Sequence, residues 1–260
     1  MDRPLQPSPS RVTVARDGGV VTLELGNGTR RNALREADWA DLRDTVAAVG
    51  RAGTARVMVL VGHGGTFSAG SDMTEWADAG PDDVDQTFAT MEQCFRAVED
   101  CAVPVVAAVE GVAAGAGCQL ALSCDLVVMG ESARIGMPIA RLGILASPAF
   151  VARVASRVGS ALAADLYLTG RLLGAAEARA AGLVARVVPD TEVVSQATHL
   201  AHAITHTSPE AVRAAKRAIH AVTQPERLVH EAGGRAGRAV AFEDFRPAVR
   251  RFLSTRRRPA

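Results

Sequence analysis

The chain has 260 residues, of which 48% are hydrophobic and 22% are charged, and its formal net charge at pH 7 is +1. This composition is that of an ordinary globular protein with one large domain, or a domain with an appendage. The balanced charge excludes a general attraction to nucleic acid or anionic membrane, and no run approaches the roughly 18 apolar residues of a membrane span.

The chain ends and the cysteines predict a cytoplasmic protein. Residues 1–10 are rich in Pro and Ser, so we expect a flexible N-terminus, and they lack the apolar core of a signal peptide. The arginine run 256–258 is typical of a solvated tail, with nucleic-acid binding as the less favoured alternative. The cysteines form no C-x-x-C pair and lie in apolar stretches, as reduced buried thiols do. They are Cys94, Cys101, Cys118 and Cys124.

Strand-type and helix-type patterns alternate along the first half of the chain. Apolar periodicity and turn residues predict the following elements, in chain order. They are a β-hairpin over 12–25, a helix over 38–49, a strand over 56–61, a helix from Asp72, a helix over 83–101, a strand over 104–109, a helix over 118–122 and a strand over 125–129. This order implies stacked β-β-α or βαβ turns around a largely parallel core.

The remainder of the chain is predicted to be mostly helical. From about residue 148 the pattern is helical except over 184–188, and Ser208 and Pro209 have the N-cap and first-turn positions of a further helix. We therefore divide the chain into a flexible end 1–10, a core 11–189 with the substrate site, and a helical region 190–260. Helices added after a complete core commonly cover an interface, so the last region is expected to mediate oligomerisation.

Two segments of small residues, 66–73 and 110–119, each follow an apolar strand. Asp72 and Glu75 have the spacing of a capping box, which predicts a helix from Asp72 with the N–H of Ser71 at its positive end. In the second segment Ala116 stands between glycines where another helix begins. Two such N–H groups could bind a carbonyl oxygen that gains negative charge.

Two other interpretations of these segments are a structural turn and a dinucleotide site. Each segment alone is more often a tightly packed Gly-rich turn than a binding site. The spacing of Gly111, Gly115 and Gly117 does not match G-x-G-x-x-G, and no acidic residue ends a following strand at the expected distance, so a dinucleotide site is not predicted.

Several segments of the chain form an ordered set of motifs. They are 31–34 (RNAL), 66–72 (TFSAGSD), 104–111 (PVVAAVEG), 115–126 (GAGCQLALSCDL) and 168–184, which contains LTG and GLV. In order and spacing they resemble the R-N-A-L, F-S/C-A-G-x-D, P-V-I-A-A-V-N-G, G-G-G-C-E-L-A…C-D and L-T-G…G-L-V motifs of the enoyl-CoA hydratase/isomerase (crotonase) superfamily. The resemblance covers roughly residues 12–258.

The resemblance implies a fold and a class of substrate. The expected fold is α/β, a crotonase-like spiral of β-β-α turns with a C-terminal α-helical region, assembled as a homotrimer or homohexamer. The expected partner is an acyl-CoA thioester, and not nucleic acid or a membrane. No cofactor is expected beyond the coenzyme A that forms part of the substrate, and no metal.

The resemblance also implies roles for individual residues. The oxyanion-hole donors would be the N–H groups of Ser71 and Ala116. The residues expected to bind substrate or coenzyme A are Arg30, Arg31, Ala33, Ala69, Gly70, Asp72, Met73 and Gly115. Arginine suits the coenzyme's phosphates because its guanidinium pairs well with them, although a solvated turn would also explain Arg30 and Arg31.

The chain departs from the superfamily at the positions of its acids. Hydratases carry two glutamates, and the matching residues here are Gln119 and Ile139. Gln119 could position a water but could not take its proton near neutral pH, and Ile139 could do neither. Ser147 occupies a third position, where some members have an aspartate. General acid–base catalysis supplies about 10²–10⁴-fold, so efficient hydration of a 2-enoyl-CoA is not expected.

Three hypotheses about function follow. The favoured one is an enzyme of the enoyl-CoA hydratase/isomerase type that polarises its thioester in a backbone oxyanion hole. The second is a non-catalytic acyl-CoA binding protein. The third is a thioester hydrolase or decarboxylase on the same scaffold, since such reactions need fewer carboxylates.

Other reactive side chains are more simply explained by structure. His63 is expected to be a solvated loop residue, with a catalytic or phosphate-binding role as the alternative. Cys94 and Cys118 are expected to pack in the core. The histidines at 199, 202 and 206 share a helix face, but no carboxylate or cysteine accompanies them in the sequence, so a metal site is not predicted.

Overall fold

The computed structural model describes residues 11–223 and 242–255, so the predicted flexible end 1–10 and the arginine run 256–258 lie outside the described residues. The strands are β1 (Val12–Asp17), β2 (Val20–Leu25), β3 (Val57–Gly62), β4 (Val105–Val109), β5 (Val112–Ala114), β6 (Leu126–Gly130), β7 (Arg134–Gly136), β8 (Leu172–Gly174) and β9 (Arg186–Val188). The helices are α1 (Glu36–Arg51), α2 (Pro81–Glu99), α3 (Ala116–Ser123), α4 (Pro148–Thr169), α5 (Ala175–Ala180), α6 (Val193–Thr205), α7 (Pro209–Thr223) and α8 (Phe242–Thr255).

The main sheet has the strand order β1-β2-β3-β4-β6-β9. The hairpin β1–β2 is antiparallel, and every other pair is parallel. Strands β3 and β4 are buried along their whole length, as expected when both faces of a parallel sheet are covered. Val57, Val59 and Val61 pack towards α6 on one face, whereas Met58 and Leu60 belong to the larger core on the other.

A second sheet of three short strands, β5-β7-β8, was not predicted. Each of its strands has three residues, which is too short for an alternating pattern to be recognised. A strand of the main sheet, a strand of the small sheet and a helix follow one another in β4, β5 and α3. This β-β-α turn confirms the predicted spiral α/β architecture.

The helix predicted to begin at Asp72 is absent, so that prediction was wrong. The carboxylate of Asp72 accepts a hydrogen bond from the N–H of Thr74 at 3.1 Å, and its carbonyl accepts one from Glu75 at 3.0 Å, which produces turns. The Asp72 N–H, which a capping box would pair with Glu75, donates to the carbonyl of Leu34 at 2.8 Å. The Glu75 carboxylate accepts from the N–H of Glu36 at 2.9 Å. Hydrogen bonds to Leu34 and Glu36, which are distant in the sequence, thus replace the bonds of the predicted capping box.

The described part of the C-terminal region is helical, as predicted. Helix α6 covers one face of the main sheet, α7 begins after Ser208 with Pro209 in its first turn, and α8 packs against the 3₁₀ turn Pro138–Leu142. The domain boundary at residue 189 and the role of these helices in oligomerisation stay predictions.

Helix α7 is fixed to the core by a buried cluster of charges around Asp125. The Asp125 carboxylate accepts hydrogen bonds from the N–H of Val105 at 2.7 Å and from Nζ of Lys216 at 2.8 Å, and Nε2 of His220 lies 3.1 Å away. Burial alone would raise the pKa of Asp125. The hydrogen bond with His220 and the charge of Lys216 outweigh it and hold the pKa below its ordinary value.

We expect Asp125→Asn to lower the free energy of unfolding by about 3 kcal/mol at pH 7, because it leaves the buried Lys216 without its counter-charge. The pKa of Asp125 is lowered on folding, so its stabilising effect is present above about pH 4 and is lost as the pH falls through the folded-state value. Urea unfolding over a pH series measures both effects.

Asp44→Asn is the matched control, since Asp44 pairs with Arg43 on the surface and such pairs contribute only about 0–1 kcal/mol. Equal losses of stability in the two variants would contradict the role given to Asp125.

Candidate active site

The two small-residue segments meet through backbone contacts. The N–H of Ser68 donates to the carbonyl of Val112 at 2.9 Å, and the N–H of Ala114 donates to the carbonyl of Ser68 at 3.1 Å. A methyl group on Gly70 would lie 2.7 Å from the carbonyl oxygen of Ala114 and 3.1 Å from the nitrogen of Ala116. Only glycine permits so close an approach, and it places the residue before Ser71 directly against Ala116.

The predicted oxyanion-hole donors are both available for a ligand. Leu34 bonds to the carbonyl of Gly70 and to the N–H of Asp72, each at 2.8 Å, so Ser71 between them directs its own N–H away from Leu34. Ala116 is the first residue of α3, where helical N–H groups have no partner within the helix. Within residues 11–223 and 242–255 neither N–H has a hydrogen-bond acceptor. Only Ala116 lies at a helix N-terminus, because the helix expected after Ser71 is absent.

A cavity of about 280 Å³ opens beside Ser71. It is lined by Arg30, Ala33, Ala69, Ser71, Asp72, Met73, Thr74, Phe252 and Leu253. Six of these are positions predicted for the site, whereas the predicted residues Arg31, Gly70, Gly115 and Ala116 are not among the lining residues. Phe252 and Leu253 on α8 were missed. Their signal in the sequence was the helical spacing with the buried residues Phe245 and Val249.

The cavity combines a neutralised carboxylate with exposed arginines. Nη1 of Arg30 lies 2.7 Å from Oδ2 of Asp72, and Nε of Arg35 lies 3.7 Å from the same oxygen. Burial would raise the pKa of Asp72, but hydrogen bonds from Thr74 and Arg30 outweigh it and lower the pKa. The Arg30 side chain is half exposed despite its ion pair, so part of its guanidinium remains accessible at the cavity, whereas the exposed Arg31 lies outside the lining.

Gln119 is fully buried and its amide is occupied by protein partners. Oε1 accepts a hydrogen bond from Nη1 of Arg153 at 2.8 Å. Nε2 donates to the carbonyl of Phe150 at 3.2 Å and to the hydroxyl of Tyr167 at 3.1 Å. Both N–H groups of the amide are thus used, so the predicted positioning of a water by Gln119 would depend on the second lone pair of Oε1.

Arg153 is a buried cation that the sequence analysis missed. Its Nε lies 2.6 Å from Glu99 and its Nη2 3.1 Å from Glu92, and its guanidinium carbon lies 5.3 Å from the centre of the Phe95 ring. Burial would lower the pKa of Arg153, but the two carboxylates outweigh it and raise the pKa. The sequence signal for a buried cation was the spacing of Glu92 and Glu99, which places two carboxylates on the same helix face as Phe95.

The other two positions at which the resemblance implies acids, 139 and 147, have structural roles. Ile139 is buried in the 3₁₀ turn, and its Cγ2 would lie 3.9 Å from a methyl group on Gly115, so it faces the turn that leads to Ala116. Ser147 is the N-cap of α4, because its Oγ accepts the N–H of Phe150 at 3.2 Å. No carboxylate occupies position 119, 139 or 147.

The remaining reactive side chains lie outside the cavity. His63 is half exposed, and its Nδ1 lies 2.8 Å from Glu24. All four cysteines are buried and unpaired, and burial raises the pKa of Cys118 to about 12. Nε2 of His202 lies 3.2 Å from Asp17. In the described chain, no three His, Cys, Asp or Glu side chains are grouped to hold a metal ion, and no helix is long and apolar enough to cross a membrane.

Comparison with known proteins settles the family. Residues 15–256 match the sequence profile of the enoyl-CoA hydratase/isomerase family. The chain belongs to this family. The resemblance inferred from the ordered motifs is thereby confirmed, and with it the crotonase-like α/β fold.

Three similar proteins each align with most of the chain. 2,3-Dehydroadipyl-CoA hydratase of Escherichia coli K12 is 34% identical over 253 residues, which are 95% of this chain and 97% of the relative. An enoyl-CoA hydratase structure from Bacillus anthracis superposes with a TM-score of 0.78 at 31% identity, over 85% of this chain and 90% of that one. A putative enoyl-CoA hydratase/isomerase family protein from Hyphomonas neptunium gives 0.79 at 29% identity, over 98% of each chain.

We expect Gln119→Glu not to create efficient hydration of crotonyl-CoA. The new carboxylate would pair with Arg153, and the two hydrogen bonds donated to Phe150 and Tyr167 would be lost. We expect the free energy of unfolding to fall by about 1–2 kcal/mol. Absorbance of the enoyl thioester and urea unfolding measure the two effects.

Gln93→Glu is a charge-matched control on the surface of α2, where Gln93 accepts a hydrogen bond from Arg43, and we expect it to change stability by less than about 0.5 kcal/mol. A large gain in hydration by Gln119→Glu alone would show that Arg153 does not control this position.

Proposed function

We propose that this chain is an acyl-CoA enzyme of the hydratase/isomerase type that polarises the thioester carbonyl between the N–H groups of Ser71 and Ala116. The observation that carries the proposal is the meeting of two N–H groups without acceptors where Gly70 approaches Ala116. Ser71 also lines the cavity into which Arg30 brings positive charge. A guanidinium at the mouth suits the phosphates of coenzyme A, and its thioester would extend inward to Ser71.

The two donors would stabilise negative charge on the thioester oxygen. Fixed N–H groups act most strongly where water is excluded, and Ser71 is only 6% exposed. The N-terminus of α3 adds the favourable end of a helix dipole at Ala116. Such a site lowers the free energy of an enolate or a tetrahedral intermediate.

The surroundings of the donors limit the reactions that the site supports. Gln119 is tied to Arg153 and Ile139 is apolar, so neither removes a proton from water. We therefore propose that hydration of simple 2-enoyl-CoA thioesters is inefficient. Decarboxylation of a carboxyacyl-CoA is an alternative that needs no base: cleavage of the bond to the carboxylate releases CO₂ and leaves the electron pair on the α-carbon as the enolate, which then takes a proton from water. Hydrolysis of the thioester is the other alternative on this scaffold.

Non-catalytic binding of acyl-CoA is the second candidate. It is favoured by the lack of a carboxylate at positions 119, 139 and 147, where the resemblance implies acids. In either case coenzyme A is part of the ligand and no further cofactor is proposed. We also propose a homotrimer or homohexamer in the cytoplasm, in keeping with the expectation from the sequence.

Binding and product analysis test this proposal. The protein is titrated with butyryl-, crotonyl-, 3-enoyl- and carboxyacyl-CoA thioesters, including an unsaturated dicarboxylic one because of the name of the E. coli relative. Products are followed by mass, with deuterium uptake at the α-carbon. We expect micromolar binding and slow hydration of crotonyl-CoA. Absence of binding to every thioester would refute the proposal, and hydration near the diffusion limit would refute the role given to Gln119 and Ile139.

We expect Ala116→Pro to slow α-carbon exchange by about 10²–10³-fold, because it removes one oxyanion donor. Proline is tolerated at the first position of a helix, and no acceptor among the described residues is lost with this N–H. Binding of acyl-CoA should change far less. Ala116→Ser retains the N–H and is the control, and equal exchange rates in the two variants would exclude Ala116 as a donor.

A further inference from the structure

The turn that carries the arginines has an unusual backbone. Arg30, Arg31 and Asn32 have φ angles of +49°, +56° and +52°, so three consecutive non-glycine residues are left-handed. This conformation is sterically unfavourable for most side chains, because Cβ approaches the following carbonyl oxygen. It persists only where surrounding contacts enforce it, often at functional sites.

Asn32 supplies those contacts. Its side chain is fully buried, and Nδ2 donates to the carbonyls of His63 at 2.8 Å and Thr66 at 2.6 Å. Its Oδ1 accepts from the N–H of Gly28 at 2.8 Å. Both halves of the amide are used, and they join the arginine turn to the loop that follows β3.

The same turn is bonded to the segment that ends at Ser71. The carbonyl of Asn32 accepts from Oγ of Ser68 at 2.8 Å, and that oxygen accepts from the N–H of Gly70 at 3.1 Å. The carbonyl of Arg31 accepts from the N–H of Ala69 at 2.9 Å. A continuous series of hydrogen bonds therefore leads from the left-handed turn to the residue before the oxyanion donor.

We propose that Asn32 and Ser68 are positioning residues that couple the arginine turn to the N–H of Ser71. Neither residue lines the cavity, so they act through Arg30 on one side and Gly70 on the other. The inference rests on the proposed function. It adds that binding of the coenzyme's phosphates at the turn fixes the donor at the thioester, so that binding energy remote from the reacting carbonyl serves the reaction.

Kinetics of two variants test the coupling. Ser68→Ala removes the bonds to Asn32 and Gly70 but leaves the Asn32 side chain in place. We expect α-carbon exchange at saturating acyl-CoA to fall about tenfold, with the Kd for free coenzyme A changed less than twofold. Asn32→Ala should impair both quantities, because it also releases the arginine turn.

Asn27→Ala is the matched control. Asn27 is exposed in the same loop, and among the described residues its side chain bonds to the N–H and hydroxyl of Thr29 alone. We expect α-carbon exchange by the Asn27→Ala variant to be as fast as that by the wild type. If the rate of α-carbon exchange and the affinity for coenzyme A fall in the same proportion in Ser68→Ala, the residue has a merely structural role and the proposal is overturned.

A measurement without ligand separates this inference from the proposed function. Amide hydrogen exchange of a peptide covering 67–73 is followed in the three variants and the wild type. We expect faster exchange in Ser68→Ala and Asn32→Ala and no change in Asn27→Ala. Unchanged exchange in Ser68→Ala overturns the coupling, even if the wild type turns over acyl-CoA. Faster exchange in Asn32→Ala, whose changed residue lies outside this peptide, supports the coupling even if no thioester binds. If Asn32→Ala fails to fold, Ser68→Ala alone decides.

Discussion

The close approach of two backbone segments is the constraint on which the site depends. A methyl group on Gly117 would lie 2.2 Å from the carbonyl oxygen of Ser68, and one on Gly70 would lie 2.7 Å from that of Ala114. The segments follow β3 and β4, which are adjacent parallel strands, so their ends meet at the same edge of the main sheet. The proposed donors, some forty-five residues apart in the sequence, therefore become neighbours because the sheet brings together loops that lack side chains at the contact.

The absence of an acid beside the donors is built into the packing around Gln119. Arg153 already lies between Glu92 and Glu99, so a glutamate at position 119 would place a third carboxylate around one buried guanidinium. Glutamine has the same shape and completes the network without added charge. On the other side of the donors, Ile139 fits against Gly115. The neutral side chains at positions 119 and 139 are thus each supported by packing contacts of their own.

The sequence predicted the features that depend on long patterns. The hairpin, the buried strands, the amphipathic helices and the ordered motifs gave the fold and the family, because each signal extends over many residues. Prediction from the sequence failed where hydrogen bonds to residues distant in the chain determine the local structure. Asp72 and Glu75 have the spacing of a capping box, but the Asp72 N–H donates to the carbonyl of Leu34 and the Glu75 carboxylate accepts from the N–H of Glu36. The three-residue strands of the small sheet were too short to recognise. The bond between Gln119 and Arg153 joins residues 34 positions apart on different helices, which no local pattern reveals.

The strain in the arginine turn is best explained by the charge that it carries. Glycine adopts a positive φ at no steric cost, yet arginines occupy positions 30 and 31. A turn required only to reverse the chain would favour glycine or asparagine there. The Arg30 guanidinium pairs with Asp72, and the exposed Arg31 beside it leaves positive charge for the anion site that we propose. Asn32 tolerates the left-handed conformation better than most residues, and its three hydrogen bonds offset part of the strain of its neighbours. The left-handed backbone, the guanidinium groups and the buried hydrogen bonds of Asn32 therefore meet in one turn beside the segment that leads to Ser71, which is the arrangement that the proposed anion site requires.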